Sequence, residues 1–328
     1  MSNGPHIDAF FDEATNSVSY VVADAAAGVA AIIDPVLDFD AASGTVATRS
    51  ADRMLAAADE RGWTVEWVLE THVHADHLSA AALIRERTGA KVGIGRGVRE
   101  VQAVFAPLLG VSDLEDEDFS RLFADGDTIK LGDLTIEVIA TPGHTPACVS
   151  YRIADSVFVG DTLFMPDYGT ARTDFPGGDA GQLFRSIRRI LALPTETRLF
   201  LCHDYKAPGR TEFVWETTVG QERDKNVHLS GKSEEAFVEM RQARDATHSH
   251  PSVPRNDTLG GGTGSNELRG GRDGGGGLHG GVNIAFSRNG AMRNRRARKF
   301  TGNGDLRVGW TYWTERWKLL MYCLLHEF

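Results

Sequence analysis

The chain has 328 residues, 41% hydrophobic and 24% charged, enough to bury a sizeable core in one large domain or two small ones. No run of about eighteen apolar residues occurs, so no helical membrane span is expected. The net charge of −10 divides into −16 over residues 1–250 and +6 over residues 251–328, and an acidic body argues against nucleic acid as the substrate. Three cysteines, Cys148, Cys202 and Cys323, are too few and too scattered for a disulfide framework. Residues 1–6 lack the basic and apolar regions of a signal peptide. A reducing, cytoplasmic setting is the expectation.

Residues 17–22 and 29–33 read as two strands around a small-residue turn, ended by Asp34-Pro35. Asp34 either braces a neighbouring loop or is a turn residue. Residues 48–61 read as a helix with Met54, Leu55 and Ala58 on one face and Gly62 as the stop. A buried strand at 65–69, a helix at 78–87 and a strand at 91–94 follow. Residues 98–109 read as a helix, and the acidic run at 113–118 as a solvated loop. Hairpins are expected at 128–139, across Gly132-Asp133, and at 148–159, across Ala154-Asp155. A helix at 179–192 carries Leu183, Phe184, Ile187, Ile190 and Leu191. A strand at 198–201 and a helix at 212–223 come next. Ser233 caps a last helix with Phe237 and Met240 facing inward. Strands and helices alternate in two similar halves, which predicts an α/β sandwich of layers rather than an all-parallel sheet.

The strand at 65–69 runs into Thr71-His72-Val73-His74-Ala75-Asp76-His77. Three imidazoles and a carboxylate at a strand's C-terminal end converge on one point, and these groups are ligands for a borderline or hard divalent metal. Three more strand ends each deliver a donor: His144 in Thr-Pro-Gly-His-Thr, Asp161 in Val-Gly-Asp-Thr, and His203 in Leu-Cys-His-Asp-Tyr. Their coincidence carries more weight than any one of them. Cys148 and Cys202 adjoin these motifs but read as core thiols lying in strands.

With these motifs in view, residues 10 to about 225 resemble the metallo-β-lactamase superfamily. The resemblance implies a four-layer αββα sandwich over residues 1–248, with the metal site at one edge of the two sheets. Gly169-Thr-Ala-Arg-Thr-Asp-Phe175, Cys202-His-Asp-Tyr205 and Ala75 resemble the persulfide dioxygenases. Gly160-Asp-Thr-Leu-Phe-Met-Pro-Asp167 and Pro176-Gly-Gly-Asp179 look like the bacterial β-lactamase-like hydrolase branch of that group. This implies one Fe(II) per chain, held by His72, His144 and Asp161. His74, Asp76, His77 and His203 would orient those ligands. The expected reactants are glutathione persulfide and O2, the products sulfite and glutathione, and the setting sulfide detoxification. Asp76 and Tyr205 stand as candidate catalytic groups, Tyr205 being either a hydrogen-bond partner near the iron or a packed aromatic. Arg172 reads as a loop-fixing partner of Asp174 or as a substrate contact. Lys206 and Arg210 read as receptors for the glutathione carboxylates or as surface charge.

The same donors suit a glyoxalase II-type hydrolase. There His72, His74 and His144 would hold one Zn2+, Asp76, His77 and His203 a second, and Asp161 would bridge them. Ligand type alone does not choose between the metals. No membrane partner is expected, and relatives of this kind are often homodimers. Residues 249–328 depart from the family pattern: about half of residues 260–281 are Gly, and a basic stretch and scattered tryptophans follow. They read as disordered, or as sequence from a shifted reading frame.

Overall fold

Residues 17–24, Ser-Val-Ser-Tyr-Val-Val-Ala-Asp, are buried along their whole length, so this strand is covered on both faces. The computed structural model describes residues 4–40, 42–109 and 119–247. The acidic run at 113–118 and the tail from 249 onward lie outside these residues. The first half contains β1 (His6–Asp12), β2 (Ser17–Asp24), β3 (Val29–Ile33), β4 (Val36–Asp40), β5 (Thr45–Ala47), α1 (Arg49–Asp59), β6 (Thr64–Leu69), β7 (Leu78–Ser79), α2 (Ala81–Thr88), β8 (Lys91–Gly95), α3 (Val98–Leu109) and β9 (Arg121–Phe123). The second contains β10 (Thr128–Leu131), β11 (Leu134–Ala140), β12 (Val149–Ile153), β13 (Ser156–Phe158), α4 (Ala180–Leu191), β14 (Arg198–Phe200), β15 (Glu216–Thr218), α5 (Val219–Lys225) and α6 (Glu234–Asp245).

Two mixed six-stranded sheets result, ordered β1-β2-β3-β6-β8-β9 and β10-β11-β12-β13-β14-β15, with a small sheet β5-β4-β7 beside them. Strand alternation sorts side chains into three apolar layers. Val18, Tyr20 and Val22 of β2 join Leu69, Val138, Tyr151 and Phe158 in the core between the sheets. Val21 and Ala23 of the same strand turn outward, where Met54 and Ala58 of α1 and Ile84 of α2 cover them. Beyond the second sheet, Val157, Leu199 and Leu201 pack against Leu183, Ile187 and Ile190 of α4 and Phe237 of α6. Each fully buried aliphatic side chain contributes roughly 1.5–3 kcal/mol. The layering is the expected αββα sandwich.

Helices α4 and α6 begin where the sequence predicts. The Asp179 carboxylate accepts from Gln182 N at 2.6 Å, and Ser233 Oγ accepts from Ala236 N at 3.3 Å. Two phenols join the layers at the edge where the metal-binding motifs lie. Tyr20 donates to Leu201 O at 2.6 Å and Tyr151 to Glu70 O at 2.8 Å. Each acceptor sits two residues before a histidine of those motifs.

Several boundaries differ from expectation. Leu78 and Ser79 do not start a helix: they pair with Leu37 and Val36, and the helix begins at Ala81. A bond from Ala80 N to Pro35 O, and one from the Ser79 hydroxyl to the buried Glu70, hold the segment extended. The helix expected at 212–223 is confined to Val219–Lys225, because Glu216–Thr218 pairs with β14 as an edge strand. There Thr217 and Thr218 follow their β-branched preference, and Thr218 caps the shortened helix. Cys148 and Cys202 are buried as expected, but each lies just outside a strand. Strands β1, β4, β5 and β9 were not read in the sequence.

Candidate metal centre

Four strand ends converge at the sheet edge. The segment after β6 carries His72, His74, Asp76 and His77; the β11–β12 connection carries His144; Asp161 follows β13 and His203 follows β14. Two glycines permit the approach. Gly160 has φ +53°, and a Cβ there would stand 2.5 Å from Thr71 Oγ1. Gly143 has φ +143°, and a Cβ there would meet the Leu183 backbone at 2.4 Å, so the His144 loop lies directly on α4.

Asp161 is the hub. His72 Nε2 lies 3.7 Å and His144 Nε2 3.6 Å from its Oδ2, while His203 Nε2 lies 3.5 Å from its Oδ1. His203 Nε2 is also 3.5 Å from Asp76 Oδ2. Asp161 therefore belongs to two donor sets, one with His72 and His144 and one with Cys202 and His203, and His74, Asp76 and His77 form a further set that His203 approaches through Asp76.

Every imidazole has one nitrogen engaged by the protein and the other turned inward. His72 Nδ1 faces Thr71 Oγ1 at 2.9 Å, and His144 Nδ1 donates to Arg172 O at 2.8 Å. His77 Nδ1 donates to Leu78 O at 3.1 Å and His203 Nδ1 to Asn16 O at 3.2 Å. His74 is reversed: its Nε2 faces Asp34 Oδ1 at 3.1 Å and Glu70 Oε2 at 3.2 Å. Such bonds set the tautomer and leave the opposite lone pair for a metal. Accordingly His74 Nδ1, His77 Nε2, His203 Nε2 and Asp161 Oδ1 are buried with no hydrogen-bond partner among the described residues. Buried polar atoms rarely stay unpartnered, and four of them facing one cluster fit a divalent cation.

For His72, His77 and Asp76 the electrostatics agree. Burial, aided by the neighbouring imidazoles, holds His72 well below the ordinary histidine range, so it is neutral, the ligating form. Burial likewise lowers His77 despite the pull of Asp76. For Asp76, burial alone would favour the acid, but His77 and His203 overrule it and keep a carboxylate. His74 is the exception: burial works against its charge, yet Asp34 and Glu70 raise it well above its usual value and favour the imidazolium over the ligating form.

Asp34 proves to be both of the things its sequence allows. It ends β3 with φ +48°, and its carboxylate accepts from Thr71 N and Thr71 Oγ1, each at 2.7 Å. Three other supports escaped the sequence reading. Glu70 is buried beside His74, and Ser79 donates to it. Ser17 Oγ donates to Asp76 Oδ2 at 3.1 Å across 59 residues of chain, which no local pattern reveals. For Glu70 a signal existed: an acidic residue closing an apolar strand, four positions before a histidine.

The expected substrate contacts are placed differently. All five N–H groups of Arg210 are used by Asp204, Asp167 and the Glu212 carbonyl, so it braces the His203 loop instead of awaiting a ligand carboxylate. Lys206 donates its N–H to Asp204, and its ammonium lies 3.7 Å from the centre of the Phe213 ring. Arg172 forms the expected fork with Asp174, both bonds 2.7 Å, and reaches the centre through its carbonyl. Tyr205 stacks on His203 at 5.2 Å and is 37% exposed; desolvation and the carboxylates of Asp161 and Asp76 keep its phenol protonated. The thiols of Cys148, raised by burial to about 12, and Cys202, which burial also raises well above the ordinary thiol value, are protonated core groups.

Residues 13–203 match the metallo-β-lactamase superfamily pattern. The chain belongs to that superfamily. Among similar proteins of the superfamily, one named a probable metallo-hydrolase from Burkholderia pseudomallei is 49% identical, the match covering 75% of this chain and 88% of the other. A β-lactamase hydrolase-like protein of Xylella fastidiosa is also 49% identical over 76% of this chain, but the match spans only 58% of that longer protein. The human mitochondrial persulfide dioxygenase is 32% identical over 70% of this chain and 78% of its own. Of solved structures, ETHE1 from Myxococcus xanthus shares 33% identity with a TM-score of 0.59, covering 73% of this chain and 91% of that one. The chain is thus an enzyme of the metallo-β-lactamase superfamily with that superfamily's His/Asp metal-binding cluster.

Proposed function

We propose that this enzyme is an Fe(II)-dependent persulfide dioxygenase that converts glutathione persulfide, O2 and water to glutathione and sulfite. The observation that carries the reading is the pairing of His72 Nε2 and His144 Nε2 with the same oxygen of Asp161. Two imidazoles and one carboxylate on one face are the donor set of non-haem Fe(II) oxygenases. The likeness to the human persulfide dioxygenase and to the Myxococcus protein supports the same choice. A bound Fe(II) would supply open coordination positions and the redox chemistry that couples a persulfide sulfur to O2. The persulfide gives up four electrons net and O2 takes them; the S–S bond breaks, the departing glutathione sulfur takes the persulfide proton, and the two protons of the water are released. The protein's part is to aim His72 Nε2 and His144 Nε2 at the Asp161 carboxylate, through the bonds their other nitrogens make to Thr71 and Arg172. His203 and Asp76 line the opposite side, where proton acceptors are needed as water contributes the third sulfite oxygen.

A second reading is a dinuclear zinc hydrolase of the glyoxalase II type, cleaving a glutathione thioester. It is favoured by the inward-facing, unpartnered His77 Nε2 and His203 Nε2, which complete a second donor set. Metal analysis of the purified full chain, with an oxygen electrode and a thioester assay, decides between them. One iron per chain with persulfide-dependent O2 uptake is expected. Two zinc ions with thioester cleavage and no O2 uptake would overturn the first reading in favour of the second.

A further inference from the structure

The carbonyl that orients His144 belongs to Arg172, in the connection between Asp161 and α4. Residues 169–173 of this connection form neither helix nor regular strand, so their backbone groups need partners from elsewhere. Four of those groups are taken by four different side chains from the C-terminal part of the domain. Asn226 Nδ2 donates to Gly169 O at 3.0 Å, and His228 Nδ1 accepts from Thr170 N at 3.0 Å. Arg241 donates to Thr170 O at 3.3 Å, and Asp245 accepts from Thr173 N at 2.9 Å and from Thr173 Oγ1 at 3.0 Å.

The four residues are themselves tied in pairs. Arg241 and Asp245 lie one helical turn apart on α6 and pair at 2.7 and 2.9 Å, 3% and 6% exposed. Asn226 Oδ1 accepts from His228 N at 2.9 Å. The same connection starts at Asp161 and is pinned to itself by a bridge between Leu163 and Thr170. A buried ion pair of this kind is weak evidence for stability, because desolvation offsets its attraction. Its placement on the two residues flanking the Arg172 region suits registration instead.

We propose that Asn226, His228, Arg241 and Asp245 are positioning residues of the metal centre, acting through the 169–173 backbone on the direction of His144 Nε2. The proposal rests on His144 being a ligand and is indifferent to whether the metal is iron or zinc. On this view α6 sets metal affinity through this backbone.

Cobalt(II) serves as the probe, because its absorption bands report ligand geometry and its affinity is measurable by chelator competition without turnover. The variants are Asp245→Asn and the milder Thr173→Ala, which removes only the hydroxyl contact. Phe237→Leu in the same helix is the control, since it alters packing against α4 and removes none of the hydrogen bonds named above. Metal-free melting temperatures are recorded for all. Changes in groups that orient a ligating histidine typically cost 10- to 100-fold in affinity. Asp245→Asn is expected to lose tenfold or more and to shift the cobalt bands, and Thr173→Ala to shift them in the same direction. Phe237→Leu is expected to lower the melting temperature with affinity within twofold and bands unchanged. If Thr173→Ala and Asp245→Asn bind cobalt as the control does, or Thr173→Ala does so where Asp245→Asn fails to fold, the role is purely structural and the proposal is overturned. If wild-type and His144→Ala bind cobalt equally well, His144 is no ligand, and the metal-centre reading falls first.

Discussion

The hydroxyl of Thr71 donates to Asp34 Oδ2 at 2.7 Å and therefore has only a lone pair to offer His72 Nδ1, which must carry the proton. One small side chain thereby decides which nitrogen of His72 faces Asp161. Thr71→Val keeps the shape and removes both bonds. A 10- to 100-fold loss of metal affinity by chelator competition is expected. An unchanged affinity would show that His72 needs no such guide. At this scale the sequence displayed the donors openly, because His72, His74, Asp76, His77, His144, Asp161 and His203 all lie in short motifs at strand ends. The groups that orient them were hidden. Ser17 and Glu70 look like any polar residue beside a strand until the chain folds them against Asp76 and His74.

Helix α5 and the turn after it contain two titrating groups whose burial works in opposite directions. Glu222 is fully buried, and burial pushes its carboxyl up to about 8, with Asn226 donating to it at 2.6 Å. Folding therefore favours its protonated form, so its contribution is intact below the unfolded value near 4.5 and is lost as pH rises toward 8. The loss is at most on the order of 5 kcal/mol. Burial, helped by Arg244 and Arg241, lowers His228 to about 4. That contribution is present above the unfolded value near 6.5 and is lost as pH falls toward 4. Urea midpoints measured from pH 4 to 9 are expected to peak between these limits. Glu222→Gln is expected to flatten the alkaline side only; an alkaline decline equal to wild type would rule Glu222 out as its source. The elements themselves were mostly legible, since α4 and α6 carry both periodic apolar residues and side-chain caps. Segments 78–79 and 216–218 were not, because their partners Val36, Leu37 and Phe200 are remote in the chain.

Across the described residues the two halves meet face to face, and the donors of the candidate metal centre gather where both sheets end together. Tyr151 helps keep that alignment. Its hydroxyl crosses from the second sheet to Glu70 O, just before the histidine motif of the first. Tyr151→Phe is expected to cost about 1–3 kcal/mol in urea denaturation, the usual loss when a buried acceptor is stripped of its donor. A change under about 0.5 kcal/mol would mean that the apolar core alone sets the alignment.

The sequence by itself determined the layered fold and the donor inventory. Apolar alternation fixes which faces are buried, and imidazole and carboxylate chemistry fixes what the strand ends can bind. Only the tertiary structure decided how those donors are aimed. Which nitrogen faces inward depends on hydrogen bonds to Asn16, Asp34, Glu70, Thr71 and Arg172, and folding is what brings these groups to the right side of each ring. The same holds for Arg210, an available cation in the sequence and, once folded, a clamp on Asp204 and Asp167. A side chain's chemistry is local, but its partners are set by the packing of distant segments.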